Sequence, residues 1–154
     1  MTTTENDTLE LTRLFKAPRE RVFAAFTTPE SMNQWFGCGS KVTTCTTDFR
    51  IGGSYRLETR NPESGETFIV TGAYREISPP AKISFTWTYE GDADWADCES
   101  VVTIQLKALG DQTELSLTHT GFPSAASKGN HSTGWNECMD KIDALLMSQP
   151  TAAR

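Results

Sequence analysis

From about residue 42 to residue 120 the apolar side chains recur at every second position, whereas on either side they recur every third or fourth. A period of two belongs to strands with one buried face, and a period near 3.6 belongs to amphipathic helices. The chain should therefore build a sheet bracketed by helices. An opening strand, Leu9-Glu-Leu-Thr-Arg-Leu-Phe15, precedes Ala17-Pro18, where proline suits the first helical position, and Val22, Phe23 and Phe26 then share one helical face. Thr28-Pro29-Glu30 repeats the start signal with Thr28 as N-cap. A second short helix is expected through Met32, Trp35 and Phe36, ended by Gly37 and Gly39.

Within the period-two region, strands are expected at 46–50 and 54–59 around a Gly52-Gly53 turn, and at 67–77, interrupted at Gly72 and closed by Pro79-Pro80. Ile83-Ser-Phe-Thr-Trp-Thr-Tyr89 alternates without a fault, so one face should be buried and its hydroxyl face wet. Glu90 to Glu99 reads as a solvated acidic hairpin loop whose only glycine, Gly91, comes too early for a calcium loop. Strands bearing Val102, Ile104 and Leu106, then Leu115, Leu117 and His119, turn at Gly110-Asp111. Trp135, Cys138, Met139, Ile142, Leu145 and Leu146 form the final helical stripe. The predicted architecture is α+β: a curved antiparallel sheet of six to seven strands around one long C-terminal helix. It is expected as a single domain over residues 9–147, with disordered ends at 1–8 and 148–154.

Charge and cysteine usage exclude several classes of function. Fourteen basic against twenty acidic residues leave a net charge of -6, which repels phosphate backbones, so a nucleic-acid partner is not expected. Apolar runs of four or five residues fall far short of the roughly 20 needed to cross a bilayer, and the start of the chain lacks a signal pattern; a cytoplasmic protein without membrane insertion is expected. Cys38, Cys45, Cys98 and Cys138 contain no C-x-x-C pair and read as reduced thiols, with Cys38, between two glycines, the most accessible. The two histidines, His119 and His131, are too few for a metal site without further ligands, so neither a metal nor another cofactor is expected.

One helix cannot fill the hollow of a curled sheet, so large side chains must fill it or a cavity must remain. Trp35, Phe36, Phe49, Tyr55, Phe68, Tyr74, Phe85, Trp87, His119, Phe122, Trp135 and Met139 are the candidates to line that space. His119 shares its strand face with Leu115 and Leu117, which makes it either a proton-transfer group or a neutral histidine bonded on both ring nitrogens, the commoner arrangement. Arg13 has the parity of Leu11 and Phe15 and needs a carboxylate, either in a ligand or, more commonly, in the protein. No nucleophile motif occurs, so no catalytic residue is assigned.

Several short motifs, in order, carry a family resemblance. They are Arg13-Leu-Phe-Lys-Ala-Pro18, Val22-Phe-Ala-Ala-Phe-Thr-Thr-Pro-Glu30, Gln34-Trp-Phe36, Asp48-Phe-Arg-Ile-Gly-Gly53, Gly72-Ala-Tyr-Arg-Glu-Ile-Ser-Pro-Pro80, Phe85-Thr-Trp87, Thr118-His119 and Gly134-Trp135. Over about residues 9–147 the chain resembles the family named for the activator of the heat-shock protein 90 ATPase, within the START-like superfamily of the birch-pollen allergen and polyketide cyclases. The resemblance implies a helix-grip fold and a stand-alone bacterial-type member. It implies a small apolar, aromatic or lipid-like ligand between sheet and helix. A chaperone partner and a cyclase-like enzyme are the alternatives, and either a monomer or a homodimer is compatible.

Overall fold

Alternation resolves into seven strands in the computed structural model, which describes residues 8–28, 32, 41–60, 63–90, 95, 98–123 and 125–148. The strands are β1 (Thr8–Phe15), β2 (Lys41–Thr47), β3 (Ser54–Arg60), β4 (Thr67–Ser78), β5 (Lys82–Tyr89), β6 (Ser100–Leu109) and β7 (Gln112–Thr120). They form one sheet in the order β1-β7-β6-β5-β4-β3-β2. All six pairings are antiparallel. Sequential hairpins account for this order, except that β1 returns to the far edge beside β7, with Leu11 opposite Leu117. Helix α1 (Arg19–Thr27) follows β1, and α2 (Ala125–Ser148) follows β7. This is the α+β order of elements that the periodicity predicts and the helix-grip fold that the resemblance implies.

The core lies between the inner sheet face and α2. Leu57, Ile83, Val102, Ile104, Leu115 and Leu117 are almost fully buried from the sheet, and Met139 and Ile142 from the helix. Trp135, Cys138 and Leu146 extend the same helical stripe, as their spacing requires. Arg21 of α1 donates to the Leu146 carbonyl at 2.6 Å, satisfying an acceptor in the last turn of α2.

Local expectations need correction at several places. Pro18 is the N-cap of α1, not its first helical residue; its extended ψ of 159° turns the chain, and its carbonyl accepts from Arg21 and Val22. Thr28 also caps the end of α1, donating its backbone N–H and its hydroxyl to Ala24, while its own carbonyl accepts from Met32 at 2.9 Å, the bond that an N-cap residue accepts from the helix after it. Of the expected second short helix only Met32 is described, so Trp35, Phe36, Gly37 and Gly39 lie outside the described residues. Strand β2 ends at Thr47 rather than beginning near Thr46. Its continuation folds into a tight loop in which Asp48 N–H bonds Ser54 and Gly53 N–H bonds Arg50. A Cβ at Gly53 would come 2.0 Å from the Asp48 oxygen, so only glycine fits.

Strand β4 runs unbroken through Gly72, but its ladder to β5 opens there, between the pairs Thr71–Thr88 and Tyr74–Phe85. Nor is the hydroxyl face of β5 wet. Ser84 and Thr86 are buried because β5 lies at the middle of the sheet and their hydroxyls bond within it. Ser84 pairs with the Thr103 hydroxyl at 3.3 Å, and Thr86 accepts the Ala73 N–H at 2.8 Å.

Candidate functional site

Between the sheet, α1 and α2 lies a small, partly open void of about 20 Å³, room for roughly one water molecule. The sheet contributes Tyr55, Leu57, Tyr74, Phe85 and Trp87, the helices contribute Phe26 and Trp135, and Met32 closes one side. None of these side chains is charged. Among the described residues, aromatic rings make up most of this wall. Tyr55, Tyr74 and Phe85 meet at centroid distances between 5.6 and 6.2 Å, and Trp87 lies 5.3 Å from Trp135.

Of the predicted lining residues, Trp35 and Phe36 lie outside the described residues, and the others have a definite place. Tyr55, Tyr74, Phe85, Trp87 and Trp135 are brought together around the void. Met139 and Phe122 are buried in the core but do not line it. Phe49 stands in the loop after β2, 38% exposed, with its ring edge against Tyr74 at 5.1 Å and Phe23 at 6.2 Å. Phe68 sits beside the β3–β4 hairpin and is 44% exposed, because the sheet's inner face is not roofed there by described residues. Phe26, Met32 and Leu57 were not predicted as wall residues. Leu57 was legible, since it alternates with Tyr55 on β3.

His119 is 0% exposed and both ring nitrogens are engaged. The Trp135 indole N–H donates to Nδ1 at 3.1 Å, so this nitrogen carries a lone pair, and Nε2 keeps the proton. Nε2 then donates to Ser100 Oγ at 2.8 Å, and Ser100 donates to the Trp87 carbonyl at 2.7 Å. Burial, with a smaller contribution from His131, pushes the imidazole pKa down to about 2. The arrangement is the doubly bonded neutral histidine, and neither nitrogen is left to face a ligand. Ser100 escaped prediction although it shares the inward parity of Val102 and Ile104.

His131 occupies the neighbouring turn of α2 and bonds Tyr89 Oη through Nε2 at 2.9 Å. Its ring lies within 6.1 Å of Trp87, Tyr89, Trp95, His119 and Phe122. Trp95 corrects the reading of Glu90 to Glu99 as a wholly solvated loop. It is 4% exposed, held between Tyr89 and Phe122 by its own apolar surface, while Glu90 and Glu99 pair outward with Arg56 and Arg75. Arg13 makes the protein-internal pair: Nη1 meets Asp140 Oδ1 of α2 at 2.9 Å.

Among the described residues no group of three metal-ligating side chains forms. Cys45, Cys98 and Cys138 are thiols, not joined in disulfides, with Cys98 donating to the Gly121 carbonyl at 3.1 Å, and Cys38 lies outside the described residues. No described helix is long and apolar enough to cross a membrane.

Residues 16–147 match the family described as Activator of Hsp90 ATPase homolog 1-like protein. The fold is shared with a crystal structure from Chromobacterium violaceum at 28% identity and a TM-score of 0.84, covering 93% of this chain and 99% of that one. A Rhodobacter sphaeroides protein at 24% identity and TM-score 0.80 covers 97% and 98% of the two chains. An Arthrobacter aurescens solution structure at 22% identity and TM-score 0.81 covers 100% and 93%. At these lower identities the likeness establishes the fold alone. No curated protein matches the sequence.

Proposed function

We propose, from the premise that this chain belongs to the Activator of Hsp90 ATPase homolog 1-like family, that it binds a small apolar molecule between the sheet and α2. The observation that carries this reading is the wall of the void: eight side chains, six of them aromatic, and no charge. Such a lining rewards burial of apolar surface at about 25 cal/mol per Å². A void of about 20 Å³ must widen to admit a ring, and Met32 is the wall residue suited to give way, since an unbranched thioether repacks at little cost.

The test is native mass spectrometry of the protein isolated from its own host, combined with thermal unfolding in the presence of small aromatic compounds. Ligand at about 100 times its Kd stabilises by about 2.7 kcal/mol, which raises the midpoint by roughly 5–10 °C for a domain of this size. Leu57→Phe, which fills the void, should abolish the shift. A midpoint unmoved by every compound, together with the bare mass from the host, removes this reading.

The small size of this void favours a second reading, in which the outer surface carries the function and the partner is a chaperone ATPase of the kind the family description names. Phe49 and the 67%-exposed Ile51 offer it apolar contacts. Stimulation of an Hsp90-class ATPase that survives Leu57→Phe but not Ile51→Asp would establish it.

A further inference from the structure

A void of about 20 Å³ admits no ring until something beside it moves. Its sheet side is tied down: Tyr55, opposite Gly72, donates its hydroxyl to the Thr86 carbonyl across the open ladder, and Trp135 donates its N–H to His119. The start of α2 is secured less well. Residues 128–134 read Lys128-Gly-Asn-His-Ser-Thr-Gly134, with two glycines and no apolar side chain. Glycine loses the most backbone freedom in a helix, and serine and asparagine compete for its backbone hydrogen bonds, so this stretch contributes little helical stability of its own. Packing does not make up the difference. None of the described side chains in the stretch is fully buried, whereas Trp135, Cys138, Met139, Ile142 and Leu146 anchor the rest of the helix. Segments that open without global unfolding have this profile.

His131 ties the stretch to the sheet. Its ring stands among Tyr89, Trp95 and Phe122 at centroid distances of 5.6, 5.7 and 5.0 Å, and Nε2 bonds the Tyr89 hydroxyl at 2.9 Å. It also meets Trp87 at 6.1 Å, and Trp87 lines the void beside Trp135. Withdrawal of the imidazole vacates a ring-sized seat that shares the Trp87 indole with the void. We propose that residues 128–134 are the gate of the void: this part of α2 opens as a unit, drawing His131 off Tyr89, and a small apolar ring enters past Trp87 while the helix from Trp135 onward stays docked. This inference rests on the reading of the void as a ligand site.

Two substitutions away from the void wall should move the gate in opposite directions. A Cβ at Gly129 meets nothing within 4 Å, so Gly129→Ala strengthens the closed helix without a clash and should lower the open population about fivefold. Tyr89→Phe keeps the ring, removes the hydrogen bond to His131 and should raise that population about 2–10-fold. Toluene is the probe, on the full chain, with rates read from NMR line shapes of the indole N–H signals. Association and dissociation should both slow about fivefold in Gly129→Ala and both quicken in Tyr89→Phe, with Kd within about twofold of wild type in each. Equal change in the two rates marks a gate, since a wall residue would shift Kd. Amide hydrogen exchange reads the gate without ligand: in wild type, residues 129–134 should exchange at least about tenfold faster than Cys138 to Leu146. Toluene rates unmoved by both substitutions, or residues 129–134 protected as fully as the rest of α2, overturn the gate while toluene binding preserves the cavity. If toluene binds none of the three proteins, the gate and the cavity reading fall together.

Discussion

The indole N–H of Trp135 forces a lone pair on one His119 nitrogen, and the Ser100–Trp87 relay takes the proton of the other, so protonation must break a bond and charge a buried ring. The unfolded chain binds a proton near pH 6.5, whereas the folded chain resists until about pH 2. Between those values the unfolded state holds more protons, so stability falls as pH falls, by about 1.4 kcal/mol per unit below 6.5. Urea unfolding from pH 7 to 4.5 should show this loss, and His119→Gln, which keeps an acceptor and a donor, should flatten that part of the curve. An identical slope in the two proteins would mean that other groups govern acid sensitivity. Gly72 makes a second residue-scale case. A Cβ there would lie 1.9 Å from the Thr86 oxygen and 2.7 Å from the Tyr55 ring, so Gly72→Ala should leave little folded protein in a circular dichroism melt. Tyr55→Phe, which strands the Thr86 carbonyl, should cost about 1–3 kcal/mol in urea unfolding.

At the scale of elements, α2 holds the molecule together through its apolar stripe far more than through its charges. Met139 is 0% exposed, whereas its neighbour Asp140 meets Arg13 with 75% of its side chain in solvent. Met139→Ala should destabilise by about 2–5 kcal/mol, and Asp140→Ala by less than about 1 kcal/mol, both read from urea midpoints. Comparable losses would contradict this division. The stripe was legible in advance because helical spacing is a local property of the sequence, and so were β6 and β7. The start of β2 and the cap role of Pro18 were not, since these depend on where the chain turns in space. The wet face assigned to β5 failed for another reason. Alternation reports which residues are apolar, and Ser84 and Thr86 are polar yet buried because strands on both sides cover them.

At the scale of the molecule, the order of elements and the gathering of Tyr55, Tyr74, Phe85, Trp87 and Trp135 could be read from parity and resemblance, whereas the volume left between them could not. Unfilled space is a small difference between two large quantities, the span of the hollow and the bulk of its rings, and neither is encoded in period. Trp95 was missed similarly, a single indole within an acidic segment whose charge dominates its reading. Central placement should also order the dynamics. Amides of β5, flanked by β4 and β6, should exchange hydrogen only on global unfolding, while the last turn of α2 exchanges by fraying. Early exchange along β5 would contradict the described sheet order.

The lodging of β1 against β7 bears on how the protein is made. Thr8 meets Thr120, 112 positions later, so β1 has no neighbour in the sheet until β7 has been translated. A nascent chain stalled before β7 carries Leu9, Leu11 and Phe15 uncovered, a sticky ribbon in a crowded cell. The emergence of β7, rather than gradual elongation, is the moment at which β1 joins this sheet.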